Sequence, residues 1–285
     1  MIVNKLKLNS QLYQKYFANI TDPPKQLFYN GSVDKLADYP KVAIVGSRKV
    51  SAYGRIITEK LASQLASGGA IIISGLALGV DSLAHKACLD SSGVTVAVLP
   101  SAVTQIYPAS HHSLASQILA KGGALLSEYS GNDLPQKYQF IARNRLIAAM
   151  ADVVLITEAA ERSGSLHTAN FALEQGKTVM AVPGNITSPN SAGTNQLIKS
   201  GAIPVTSVDD IWQALGVSPN TQKAAILGDD EQEAVIISLL AQGINDGVEL
   251  LEKSQLETRV FNQTITMLEI SGKIRPLGGG NWTLS

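Results

Sequence analysis

The chain has 285 residues, with 23 Lys/Arg against 23 Asp/Glu, 45% hydrophobic residues and only 16% charged. That balance excludes a long disordered tail, a coiled coil and binding of polyanions by net charge alone. A single cysteine, Cys88, excludes an internal disulfide framework and a cysteine-rich zinc module. No apolar run reaches the roughly 18 residues of a membrane-spanning helix, and MIVNKLKLNSQLYQKYF has no signal-peptide core. The expectation is a soluble cytoplasmic protein with no membrane contact.

In chain order, residues 1–40 read as a short lead-in containing DPPKQLFYNG. From residue 41 onward, β-branched apolar runs alternate with helical patterns. The runs are Lys41–Val45, Ala70–Ile73, Val94–Leu99, Ala124–Leu126, Val153–Thr157, Thr178–Val182 and Ala202–Val205. Segments such as Arg55–Ala66 and Thr168–Gln175 space their apolar residues by three and four. Strands alternating with helices predict an α/β fold, a mostly parallel sheet with helices on both faces, over 41–215. Gly216–Gly228 reads as a linker. Residues 229–285 predict three helices, Glu231–Ala241, Gly247–Lys253 and Gln255–Ser271, then two short strands around Gly278–Gly280, the pattern of a winged helix. The charge divides similarly: net +4 over residues 1–219 and net −4 over 220–285. This suggests two units with different partners, although a difference of this size also arises by chance.

Ligands of such sheets gather at the C-terminal strand ends. After the first run, Gly46, Ser47 and Arg48 offer amides beside a helix start and a guanidinium able to grip phosphate; the alternative is a tight turn with a surface arginine. The loop matches neither GxGxxG nor GxxxxGK[ST]. In SGLALGVDSLAH, Asp81 and His85 share a helix face, but no nucleophile elbow accompanies them, so His85 reads as a packed histidine rather than part of a Ser/Asp/His set. In QKYQFIARNRLIAAM, Lys137, Phe140, Arg143, Asn144 and Arg145 suit a phosphate backbone with a stacked base. A capped helix with a solvated face and Phe140 in the core is the alternative. Ser163, Gly164 and Ser165 open another helix and form a second possible anion site. No cluster suggests a metal, and no nucleophile–base pair is arranged for hydrolysis.

VAIVGSR, SGLALGVDSLAH, Tyr107-Pro108 of QIYPASHH, FIARNRLIAAM, RSGSLHTANFALEQGK and VPG follow one another in this order. Together, over about residues 20–215, they resemble the DprA (Smf) family of DNA-processing proteins. The resemblance implies an extended Rossmann-like core that binds single-stranded DNA, protects incoming DNA and loads the recombinase RecA onto it in natural transformation. It implies a homodimer formed through the core, no cofactor and no catalysis. Carried over by motif, Arg48 is the central phosphate contact, Gly46 and Ser47 give the turn and amides, and Lys137 and Phe140 are the DNA-contacting lysine and the stacking aromatic. Arg143 and Arg145 line or brace the groove, and Ser163, Gly164 and Ser165 close it. Ala109 stands where members often carry a basic residue after Tyr-Pro, which removes one phosphate contact. Segment 197–205 is placed at the dimer surface by family position. At net −4 the winged helix is a poor duplex binder and reads as a protein-contact module. The alternative function is a nucleotide-binding enzyme of the nucleoside-monophosphate phosphoribohydrolase type; RSGSLHT lacks the paired glycines of that group's PGGxGT loop, and Glu174 is the one acid available to it.

Overall fold

The computed structural model describes residues 3–33, 36, 38–131, 134–219, 231–241 and 243–284. The chain separates into two compact units, Met1–Lys223 and Ala224–Ser285.

The first unit begins with β1 (Asn4–Leu6), α1 (Gln11–Tyr16) and β2 (Leu27–Gly31). Alternating strands and helices follow: β3 (Lys41–Val45), α2 (Ala52–Ser67), β4 (Ile71–Ser74), α3 (Val80–Asp90), β5 (Thr95–Leu99), α4 (His112–Ala120), β6 (Ala124–Ser127), α5 (Lys137–Met150), β7 (Val153–Ile156), α6 (Ser165–Glu174), β8 (Thr178–Ala181), α7 (Ala192–Lys199), β9 (Ile203–Pro204) and α8 (Val208–Leu215). Nine strands form one sheet in the order β1-β2-β6-β5-β4-β3-β7-β8-β9. The seven from β6 to β9 pair in parallel; β2 runs antiparallel to both β6 and β1.

The parallel strands are apolar on both faces because both are covered. Along β3, Ala43 and Val45 pack into a core with α5 and α6, whereas Val42 and Ile44 pack into a second core with α2 and α3. Residues 1–40 are not a mere lead-in. Two of the nine strands come from them, Phe17 and Leu27 are fully buried, and Tyr13 Oη donates to the Pro24 carbonyl at 2.8 Å. Strands of three and five residues carry too little periodicity to show in sequence.

The second unit contains α9 (Glu231–Ala241), α10 (Gly247–Ser254), α11 (Thr258–Ile270) and the antiparallel hairpin β10 (Ile274–Gly278) and β11 (Asn281–Leu284), the element order of a winged helix. Ile236, Leu240, Leu250, Phe261, Ile265, Leu268 and Ile274 form its core. Most of the expected linker, residues 220–228, lies outside the described residues.

Candidate functional site

The strand order reverses at β3 and β7: successive strands leave β3 toward β6 and leave β7 toward β9. A crevice therefore opens between the C-terminal ends of these two strands. The loop after β3 is clamped into it. Ser47 N–H donates to the Glu158 carbonyl at 2.8 Å, and the Ser47 carbonyl accepts from Val80 N–H at 3.1 Å. A Cβ on Gly46 would lie 2.7 Å from the Glu158 carbonyl oxygen and 2.7 Å from Val80, so only glycine lets these loops stack.

Glu158 holds the far side of the loop. Only 2% exposed, its carboxylate accepts from Ser51 N–H at 3.0 Å and from Ser51 Oγ. Ser51 Oγ in turn caps α2 by accepting from Gly54 N–H at 3.0 Å. Glu158 thus sets where α2 starts and where residues 46–51 lie. Sequence reasoning missed it; the signal was a carboxylate ending the buried run VVLIT. The amide of Ser47, expected to face an anion, is consumed by Glu158, and Lys49 N–H is taken by Ser47 Oγ at 3.1 Å. Among the described residues the amides of Arg48 and Val50 make no hydrogen bond.

Arg48 is exposed, and its guanidinium lies over the Phe140 ring, 5.2 Å from the centroid. Tyr107 meets the same ring edge-on, with centroids 5.5 Å apart and planes at 73°. The ring face expected to take a base therefore carries the guanidinium in this structure. This cation–π contact engages the ring face and no hydrogen-bonding group of Arg48. Lys137 is exposed one turn before Phe140 on α5.

The two arginines of RNR have other tasks. Arg143 is 4% exposed; its Nη1 donates to the Gly75 carbonyl at 2.6 Å and to the Val98 carbonyl, and its Nε to Asn144 Oδ1 at 3.2 Å. Asp81 Oδ2 accepts from Gly75 N–H at 3.0 Å. Burial lowers Arg143 to about 10, opposed by the Asp81 carboxylate; burial likewise raises Asp81, opposed by Arg143. Arg143 braces the ends of β4 and β5 from below and does not line an open groove. Arg145, two residues on, projects from the other side of α5. It is 5% exposed and donates to both Glu128 oxygens at 2.7 and 2.8 Å, with Asp22 at 3.5 Å. It therefore ties α5 to residue 22 and lies apart from the Arg48 cluster.

Asn144 Nδ2 donates to the Gly164 carbonyl at 3.3 Å, joining α5 to the start of α6. There Ser163 Oγ and Ser165 Oγ are 2.8 Å apart, Ser165 is buried, and Gly164 is exposed with open space beside its Cα. The structure thus joins Arg48 with Phe140, and Asn144 with both Arg143 and Gly164.

His85 belongs to no catalytic set. Thr95 Oγ1 donates to the Ile72 carbonyl at 2.7 Å, so it accepts from His85 Nδ1 at 2.7 Å, while Ser82 Oγ donates to the Gly79 carbonyl. Burial, helped by nearby His111, lowers His85 to about 3. The unfolded chain takes up this proton below pH 6.5, the folded one only near 3, so stability falls as pH drops through that interval. His85→Gln should be less acid-sensitive. Between pH 7 and 5 the wild type should lose about 2 kcal/mol more than the variant in urea unfolding. Equal losses would refute neutral burial.

Fold and site together define a doubly wound, Rossmann-like α/β protein with a crevice at its switch point, Arg48 exposed on the loop beside it and, among the described residues, no metal-ligating cluster. The sequence matches the family of DNA recombination-mediator protein A over residues 4–216. The chain belongs to this family, also known as DprA or Smf. It is 38% identical to Protein Smf of Escherichia coli over 282 residues, 95% of this chain and 75% of that one. It is 38% identical to DNA processing protein DprA of Bacillus subtilis over 213 residues, 75% of this chain and 71% of that one. Among solved structures, DprA of Streptococcus pneumoniae superposes with a TM-score of 0.69 at 39% identity, covering 74% of this chain and 73% of that one. DNA processing protein A of Helicobacter pylori, a structure described for its single-stranded DNA binding mode, gives 0.67 at 35% identity and covers 75% and 95%. Among the described residues, no helix is long and apolar enough to cross a membrane.

Proposed function

We propose that this protein binds single-stranded DNA across the C-terminal ends of β3 and β7, shields it and delivers it to RecA, acting in the cytoplasm as a homodimer. The observation that carries the reading is the Arg48 guanidinium, stacked on Phe140 beside two unbonded loop amides. Phosphates meet Arg48, Lys137 and these amides, and Ser163–Ser165 closes the far side. The family relationship and the single-strand binding of the H. pylori relative support the same assignment. The enzyme alternative draws no support from RSGSLHT.

The core runs to residue 215, residues 216–228 link it, and the winged helix spans 229–285. On α11, Asn262, Gln263, Thr266, Met267 and Ile270 are exposed, and Arg259 is its one basic residue. That face suits a protein partner better than duplex phosphates.

Fluorescence anisotropy with a labelled single strand, its duplex and a mononucleotide tests the reading. With about three phosphate contacts per protomer, log K for the single strand should fall with log salt at a slope of about −2. A strand long enough to engage both protomers should roughly double the slope. Binding confined to the mononucleotide would overturn the reading and favour the enzyme.

A further inference from the structure

The β4–α3 loop, residues 75–79, is the floor on which the Arg48 loop rests. A Cβ on Gly79 would lie 2.2 Å from the Ser47 carbonyl oxygen and 2.8 Å from that of Arg48, and Val80 N–H donates to the Ser47 carbonyl at 3.1 Å. Packing this close passes a shift of one loop on to the other. The floor contains a strained residue. Leu76 has φ 57°, a left-handed backbone that a leucine rarely adopts, and its side chain is fully buried with Leu99, Ile106 and Leu114. Such a conformation persists only where the surroundings over-determine it.

Two of the restraints act on Gly75, whose N–H is held by Asp81 and whose carbonyl is held by Arg143. A third comes from a distant segment. His111 Nδ1 donates to the Leu76 carbonyl at 2.8 Å; a carbonyl only accepts, so the ring carries a proton on Nδ1. His111 is 8% exposed and ends the single 3-10 turn Ala109–His111. Its own N–H closes that turn on the Pro108 carbonyl at 2.9 Å. Four residues earlier, Tyr107 meets the edge of the Phe140 ring that carries Arg48. Segment 107–111 therefore supports the Arg48–Phe140 pair twice, once through the Tyr107 ring and once through Leu76.

We infer that His111 is a positioning residue for single-strand binding. It holds Leu76 in its left-handed conformation, which keeps Gly79 and Val80 against Ser47 and so fixes where the Arg48 guanidinium lies. With so little of it exposed, His111 does not meet the strand itself. Without this donor the buried Leu76 carbonyl is unpaired, the strained turn is released, and Arg48 loses its fixed place beside Lys137 and the loop amides. The inference rests on the single-strand reading above, and the test separates the two.

An asparagine places its amide nitrogen near the position of Nδ1, a glutamine near that of Nε2. His111→Asn therefore keeps a donor for the Leu76 carbonyl, His111→Gln moves it away, and His111→Phe keeps a ring without a donor. Single-strand affinity is measured by anisotropy for wild type, for the three variants and for each combined with Arg48→Ala, below every unfolding midpoint. Deuterium exchange of the Val80 amide is followed in the same proteins without DNA. His111→Gln and His111→Phe should weaken binding about 5-fold, the scale of one hydrogen bond, and speed Val80 exchange, while His111→Asn should stay within about 2-fold of wild type. Whichever of the two weakened variants folds carries the test. In the Arg48→Ala background their losses should disappear. Wild-type affinity in His111→Gln and His111→Phe, an equal loss in His111→Asn, or losses that persist in full without Arg48 would overturn the positioning role and leave the groove intact. Arg48→Ala that binds like wild type would instead overturn the groove reading, and this role with it.

Discussion

Replacing Arg48 with alanine is expected to weaken single-strand binding by about 10- to 100-fold while leaving the thermal midpoint close to that of the wild type. A hydrogen bond to a charged group contributes about 1.5–3 kcal/mol, which sets the scale. The side chain is exposed and packs against Phe140, so folding loses little. The salt slope should become shallower by about 0.7, one phosphate fewer. Arg48→Lys separates charge from shape: it retains the cation but not the planar fork or its stack, so its affinity should fall between the two. Phe140→Leu removes the platform while leaving Arg48 in place. If Phe140 acts through the guanidinium, Phe140→Leu and Arg48→Ala should be strongly non-additive, the double variant binding no worse than Arg48→Ala. Additive losses would mean that the ring contacts the strand itself. Anisotropy across a salt series reads all four proteins.

The parallel sheet and the positions of its loops were legible because they depend on local pattern. Runs such as VVLIT and TVMAV are short, β-branched and unbroken, which is how strands covered on both faces read. Glycines and serines after them located the loops at the ligand end. What stayed hidden depends on partners remote in sequence. β2 is a strand because β6 offers it a ladder, with Tyr29 beside Leu126, and nothing within LFYNG says so. The arginines of RNR show the same limit at the site. Helical spacing puts Arg143 and Arg145 on opposite sides, but a charged residue in a motif reads as a ligand contact until the structure shows which carbonyls and carboxylates surround it. Glu158 went unnoticed for a similar reason. Its partners Ser51 and the α2 N-terminus are more than a hundred residues away, and no spacing rule links them. Phe140 was found as an aromatic at the groove, but that its ring already bears Arg48 follows only from the fold.

Arg143 carries the largest expected effect on stability. Arg143→Met keeps much of the volume but strips the Gly75 and Val98 carbonyls of their donor and leaves Asp81 buried without its cation. Each buried carbonyl left without its donor costs about 1–3 kcal/mol, and Asp81 loses a favourable charge nearby. The urea midpoint should therefore drop sharply with the m-value unchanged. Adding Asp81→Asn should restore part of the loss, since it removes the carboxylate left without its neighbouring cation; a double variant as unstable as the sum of the singles would show that the two residues do not communicate. DNA affinity should decline only as far as the β4–α3 loop, which presses on the Ser47 carbonyl through Gly79 and Val80, loosens its hold on Arg48. Arg143→Met that retains wild-type stability but loses DNA binding and its salt slope would place the guanidinium on phosphate, and the strand would then have to enter deeper between β4 and β5 than the buried geometry of Arg143 allows.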